Sequence, residues 1–220
     1  MLFVFCALVF GFCIPYIARR FNKFMPATFA GALVELFRRE KKVIAIRKDK
    51  LYKKFMWRSL MCGIVTASVV WIGISLTSNI SAAFLTVYIC LLILMAEIDF
   101  RSLLLPDILT IPLLLVGIFV ACFGLSTMQI ENSVVGAMVG YFLPVVVCLM
   151  IVWYKKDAFG GGDIKLLSAL GSWLGVEGLL NVIAGASILG VVWALVQRKT
   201  SLAFGPMIAV AGIVVAILKF

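Results

Sequence analysis

Apolar positions dominate the chain in eight runs, at about 2–18, 59–77, 81–98, 108–125, 133–153, 164–180, 181–197 and 204–218. A helix needs about 20 apolar residues to cross a bilayer. The pattern therefore predicts an all-α integral membrane protein with about eight transmembrane helices. Gly178 and Asn181 are the turn signals dividing the sixth run from the seventh. Polar residues concentrate between the first two runs. This predicts three parts: an anchor at 1–18, a basic segment at 19–58, and a polytopic domain at 59–220. Leu33, Val34, Leu36, Phe37, Val43, Ile44 and Ile46 form an apolar stripe in the basic segment. The stripe predicts an amphipathic cytoplasmic helix lying on the membrane.

Composition supports this reading. Of 220 residues, 64% are hydrophobic and 14% charged, against about 25% charged in a soluble domain. The net charge is +10, which alone could point to nucleic acid. Its distribution argues otherwise. Thirteen of the twenty Lys and Arg lie within 19–58, which marks that stretch as cytoplasmic. Alternating the spans from there puts every basic residue but Lys219 on the same side. The N-terminus is then outside, and the basic segment faces anionic lipid headgroups.

The chain has no histidine. That excludes a Ser-His-Asp triad and any His-ligated metal. Cys6, Cys13, Cys62, Cys90, Cys122 and Cys148 all lie in apolar runs with no Cys-x-x-Cys spacing. They read as small buried hydrophobes, not as a zinc ribbon or disulfides.

Ten carboxylates remain for proton chemistry. An ionisable residue at membrane depth is a functional signal. Glu97 and Asp99 close the third run, Asp107 follows Pro106, and Asp163 opens the sixth run after Gly160-Gly161-Gly162. Asp99 ends an inbound helix and Asp163 begins an outbound one, so both belong at the cytoplasmic face. Two carboxylates that meet share one proton, so one can activate water while the other protonates the scissile group. The glycines let a backbone approach closely and could hold a peptide as an extended strand. Pro106 forces Leu105 into extended backbone, which sets Asp107 as an N-cap. Glu97 points about 200° away from Asp99 around a helix. Lys165 and Arg101 could pair with the carboxylates or snorkel. A proton- or cation-coupled transporter is the alternative that intramembrane carboxylates leave open.

Three segments resemble one family. Gly160-Gly161-Gly162-Asp163-Ile164-Lys165 resembles the GxGD motif of the type IV prepilin peptidases. Asp99 through Pro112, with Leu105-Pro106-Asp107, resembles their other aspartate motif, and Phe204-Gly205-Pro206 fits their C-terminal pattern. The resemblance implies an aspartic endopeptidase of the bacterial inner membrane. It would cut the basic leader from type IV prepilins or pseudopilins after a Gly, at the cytoplasmic face. Asp99 and Asp163 match the catalytic pair. Gly160, Gly161, Gly162, Lys165, Arg101, Pro106 and Asp107 would bind substrate or shape the site. Many members also carry two Cys-x-x-Cys pairs and methylate the product with S-adenosylmethionine. This sequence has no such pairs, which argues against zinc and that cofactor and for a short, peptidase-only member.

Overall fold

The computed structural model describes residues 2–23, 49–76, 79–125, 128–152, 160–197 and 203–219. Seven helices make up the described residues: α1 Leu2–Lys23, α2 Asp49–Leu76, α3 Asn79–Ser102, α4 Asp107–Cys122, α5 Ile130–Val152, α6 Gly161–Gln197 and α7 Gly205–Lys219. Five of them are long and apolar enough to cross a membrane, while α4 and α7 are shorter. The basic segment runs into helix at both ends, since α1 continues to Lys23 and α2 begins at Asp49. Its middle, with the apolar stripe, lies outside the described residues, as do Lys155, Lys156 and Asp157.

The helices form one bundle. Pairs of contacts fix their directions. Gly11 abuts Gly63, and Arg19 lies over the Phe55 ring at 4.1 Å, so α1 and α2 are antiparallel. Gly73 meets Leu85 while Arg58 reaches Glu97, so α3 reverses again. On the far side of α3, Asp99 meets Gly205 and the Tyr88 hydroxyl donates to the Gly212 carbonyl at 3.1 Å. That sets α7 antiparallel to α3.

The tightest seam joins α5 to α6. The Ser133 hydroxyl donates to the Ser172 carbonyl at 2.7 Å, and that of Ser168 to the Ala137 carbonyl at 2.8 Å. Gly136 lies directly on the Gly171 backbone, and Gly140 on that of Leu167. Apolar burial drives little association between helices already in lipid. Small residues that admit close backbone contact do that work instead. Trp173 sits behind this seam, its ring tilted at 46° to that of Tyr88 with centroids 5.0 Å apart, and its indole N–H donates to the Leu113 carbonyl at 2.8 Å.

One expected turn is elsewhere. The sequence signals put it at Gly178–Asn181, but α6 breaks at Gly175, whose φ of 66° and ψ of −176° are non-helical. Positive φ is a conformation glycine adopts without a Cβ clash. The break divides α6 into Gly161–Leu174 and a second, longer arm, giving eight helical segments in the seven elements. It also frees the Leu174 carbonyl, and the Lys219 ammonium donates to it at 2.6 Å.

The cysteines differ from expectation too. All six are free thiols, but only Cys90 is buried. Cys6, Cys13 and Cys122 are exposed on the outer surface of their helices. In a membrane-spanning bundle that surface is apolar solvent, so a small weakly polar side chain is tolerated there.

Candidate active site

Asp99 occupies the last turn of α3 and is only 4% exposed. Its Oδ2 accepts the main-chain N–H of Gly205 at 3.0 Å. The first N–H groups of a helix have no partner within it, so α7 presents a free donor at its start. A Cβ on Gly205 would lie 2.6 Å from Asp99 Oδ2. The site therefore needs a residue without a side chain there.

The chain leaves α3 through a sharp turn. The Leu103 N–H donates to the Asp99 carbonyl at 2.8 Å, and Leu103 takes a φ of 55°. A left-handed non-glycine residue costs about 1–2 kcal/mol, so tertiary contacts must hold this turn. Leu105 supplies one. It is buried, and Gly162 lies so close that a Cβ there would be 2.7 Å from Leu105 Cβ. Leu105 thus fastens the loop after Asp99 onto the residue just before Asp163. Pro106 makes this possible by holding extended backbone, with φ −75° and ψ 132°.

Asp163 lies in the first turn of α6, half-buried, with its N–H donating to the Gly160 carbonyl at 3.0 Å. The Leu105–Gly162 contact sets it beside the turn that follows Asp99. The two aspartates of the predicted pair are therefore brought to one place. Gly160 and Gly161 are exposed beside them.

The neighbouring charges are paired elsewhere. The Lys165 ammonium donates to both oxygens of Asp107, at 2.7 and 2.6 Å. Arg101 donates through Nε to Glu97 Oε1 at 2.8 Å, and Arg58 reaches the same oxygen at 2.8 Å. Among the described residues, no ion pair reaches Asp99 or Asp163. Lys165 and Arg101 shape the surroundings by binding other carboxylates.

Two expectations need correction. Asp107 is not the N-cap of α4. Pro106 holds that position, and no side chain caps the helix. Asp107 is the first helical residue, where a carboxylate favours the helix dipole and where Lys165 is in reach. Gly205 was not among the predicted site residues, although its amide touches Asp99. The Gly-Pro pair opening the last run was the available signal. A Pro just inside a helix start marks the N-terminus, but its target lies 106 positions away. Among the described residues, no group of three or more His, Cys, Asp or Glu could hold a metal ion.

The pattern defining the type IV leader peptidase family matches residues 86–195, and so takes in both aspartates. The chain belongs to the type IV leader peptidase family. Several curated relatives are each described as a prepilin leader peptidase/N-methyltransferase. That of Escherichia coli K12 is 36% identical over 176 residues, covering 74% of this chain and 75% of the relative. That of Xanthomonas campestris is 40% identical over 139 residues, covering 57% and 46%. That of Dichelobacter nodosus is 36% identical over 160 residues, covering 70% and 56%. The chain thus spans about half the length of several of these relatives. No solved structure matches it at a significant level.

Proposed function

We propose that this family member is a membrane aspartic endopeptidase that removes the short basic leader from type IV prepilins or pseudopilins, cutting after a Gly. The observation that carries this is the close packing of Leu105 on Gly162, which fastens the turn after Asp99 to the residue before Asp163 within the matched region. The activity for which the relatives are named supports the substrate class. The transporter alternative finds no support among them.

The chemistry follows from the pair. With one proton between them, the ionised carboxylate takes a proton from a water as its oxygen bonds to the scissile carbonyl carbon. The other carboxylic acid protonates the carbonyl oxygen. Collapse then breaks the C–N bond as the carboxyl that took the water proton passes it to the leaving amine and the other carboxylate takes the proton of the diol, which restores one proton to the pair. Gly205 holds Asp99 Oδ2, which leaves Asp99 Oδ1 to face the water. The exposed backbone of Gly160 and Gly161 offers main-chain groups to an extended substrate. Arg101 and Lys165 keep Glu97 and Asp107 neutralised nearby, so those carboxylates do not add to the charge on the pair.

The setting is the bacterial inner membrane, with the N-terminus outside and the aspartates facing the cytoplasm, in eight crossings. The concentration of basic residues in 19–58 and the alternation of helix directions support this orientation. Anionic headgroups are the partners of the basic segment, and nucleic acid has no part. The enzyme needs no cofactor, zinc or S-adenosylmethionine, because acid–base chemistry on two aspartates is complete in itself.

Co-expression with a prepilin tests the reading. The gel mobility shift of processing should disappear with Asp99→Asn and with Asp163→Asn, a loss of about 10²-fold or more, while each variant still inserts. Processing at the normal rate in either variant would overturn it. Labelled S-adenosylmethionine in the same assay should leave the mature product unlabelled.

A further inference from the structure

Next to the aspartates lies a second polar cluster that takes no direct part in the proton transfers of the proposed chemistry. Glu97 accepts from Arg58 of α2 and from Arg101 of its own helix. Arg19 of α1 is an electrostatic neighbour of all three. Two guanidiniums from two helices thus bond one carboxylate and a third, that of Arg19, lies over Phe55, about one turn from Arg58, leaving excess positive charge at this end of the bundle. Arg58 is 42% exposed, against 16% for Arg101.

Arg58 and Glu97 also line a cavity of about 320 Å³ between α2 and α3. Its other walls are apolar. Cys62 lies one turn from Arg58 along α2, and Ile93 lies one turn from Glu97 along α3. Because these helices are antiparallel, Arg58, Glu97 and Ala96 share one level and Cys62 and Ile93 the next, with Phe100 at the opposite edge. The cavity is therefore amphiphilic along the helix axis. Its apolar level meets the outward face of α2, where Trp57, Leu60, Met61 and Ile64 are all exposed. An exposed Trp beside Arg58 suits the depth of lipid headgroups. Phe100 and Pro206, the residue that follows Gly205, complete the wall.

We propose that this cavity is a binding site for one anionic phospholipid. The phosphate sits on the Arg58 guanidinium, whose planar fork matches phosphate oxygens, with Arg101 behind it on the same Glu97 oxygen. An acyl chain runs down past Cys62 and Ile93. Glu97 holds the two arginines in position when the lipid is absent and competes with the phosphate when it is present. The lipid is then a positioning ligand for the catalytic end, because its wall includes a residue adjoining the Gly205 amide. The binding itself does not depend on the peptidase reading.

Native mass spectrometry of the full chain, released from micelles holding equal phosphatidylglycerol and phosphatidylcholine, tests this. The unaltered protein should retain phosphatidylglycerol preferentially. Arg58→Gln should lower that retention by about tenfold. Lys48→Gln, which removes one charge from the basic segment, should leave it nearly unchanged. Glu97→Gln should raise retention, because the competing carboxylate is gone, and it provides a second test should Arg58→Gln fail to fold. Equal losses in Arg58→Gln and Lys48→Gln would mean a diffuse charged surface and overturn the site. So would falling retention in Glu97→Gln, since the arginines would then be only partners of Glu97. Prepilin cleavage in phosphatidylglycerol vesicles should exceed that in phosphatidylcholine. Absence of cleavage in both would count against the peptidase reading and leave the lipid result standing.

Discussion

The Gly205 amide lies 3.0 Å from Asp99 Oδ2, across 106 positions of sequence. This single hydrogen bond ties the start of the last helix to one of the two aspartates. Gly205→Ala should break it, because the new Cβ would fall 2.6 Å from the same oxygen. A lost hydrogen bond to a charged group is worth about 1.5–3 kcal/mol, so cleavage should fall by about 10- to 100-fold. Circular dichroism should show unchanged helix content. Full activity in Gly205→Ala would mean that the amide does not hold Asp99 during the reaction.

The pH dependence of cleavage should be bell-shaped. Below the acidic limb both carboxyls are protonated and no base remains. Above the basic limb both are ionised and no acid remains. The two apparent pKa values belong to the pair and not to either residue. Initial rates across pH, measured on the purified enzyme with a synthetic prepilin, would show this. A single sigmoidal limb would count against a shared-proton mechanism.

The Asp107–Lys165 ion pair should matter little to the rate. Its side chains are 52% and 43% exposed, and pairs in that setting contribute about 0–1 kcal/mol. Asp107→Asn and Lys165→Gln should each reduce cleavage by less than about fivefold, well short of the aspartate variants. A double-mutant cycle with both changes measures the coupling directly. A loss matching that of Asp163→Asn would move Asp107 or Lys165 into the reacting group.

The α5–α6 seam should be intolerant of any added methyl group. Alanine at Gly136 or Gly171 would drive its Cβ into the facing backbone carbonyl. Backbone cannot rotate away as a side chain can, so overpacking here should cost about 1–3 kcal/mol. The apparent melting temperature in detergent should fall for both variants. Gly161→Ala is the control, since a Cβ there meets nothing within 4 Å.

Much of this was legible in the chain. The apolar runs predicted the helices because a long apolar segment suits a helix with all its backbone groups paired internally, and five of the seven are long and apolar enough to cross a membrane. Asp99 and Asp163 stood out because carboxylates are rare in this chain. The Gly162–Leu105 contact and the Gly205–Asp99 bond were not readable, because both join segments far apart in sequence. Asp107 looked like a cap because local rules govern caps. A lysine 58 residues away changed its role. The α6 turn fell at Gly175 and not at Gly178–Asn181 because the break requires a particular backbone conformation, whereas polarity had pointed further on. Glu97 was legible in direction only. Its rotation from Asp99 predicted a different neighbour, and the guanidinium from α2 supplied it.

The Lys219 contact with the carbonyl released at Gly175 has a mechanical consequence. One end of α7 is pinned there, and the other is pinned at Asp99. The 15 residues between form a rigid rod about 22 Å long. Sliding that rod by a single residue, about 1.5 Å, would break both attachments at once. The two ends of the bundle are therefore geared together, and a disturbance at the break in α6 would be felt as a displaced carboxylate at the other end.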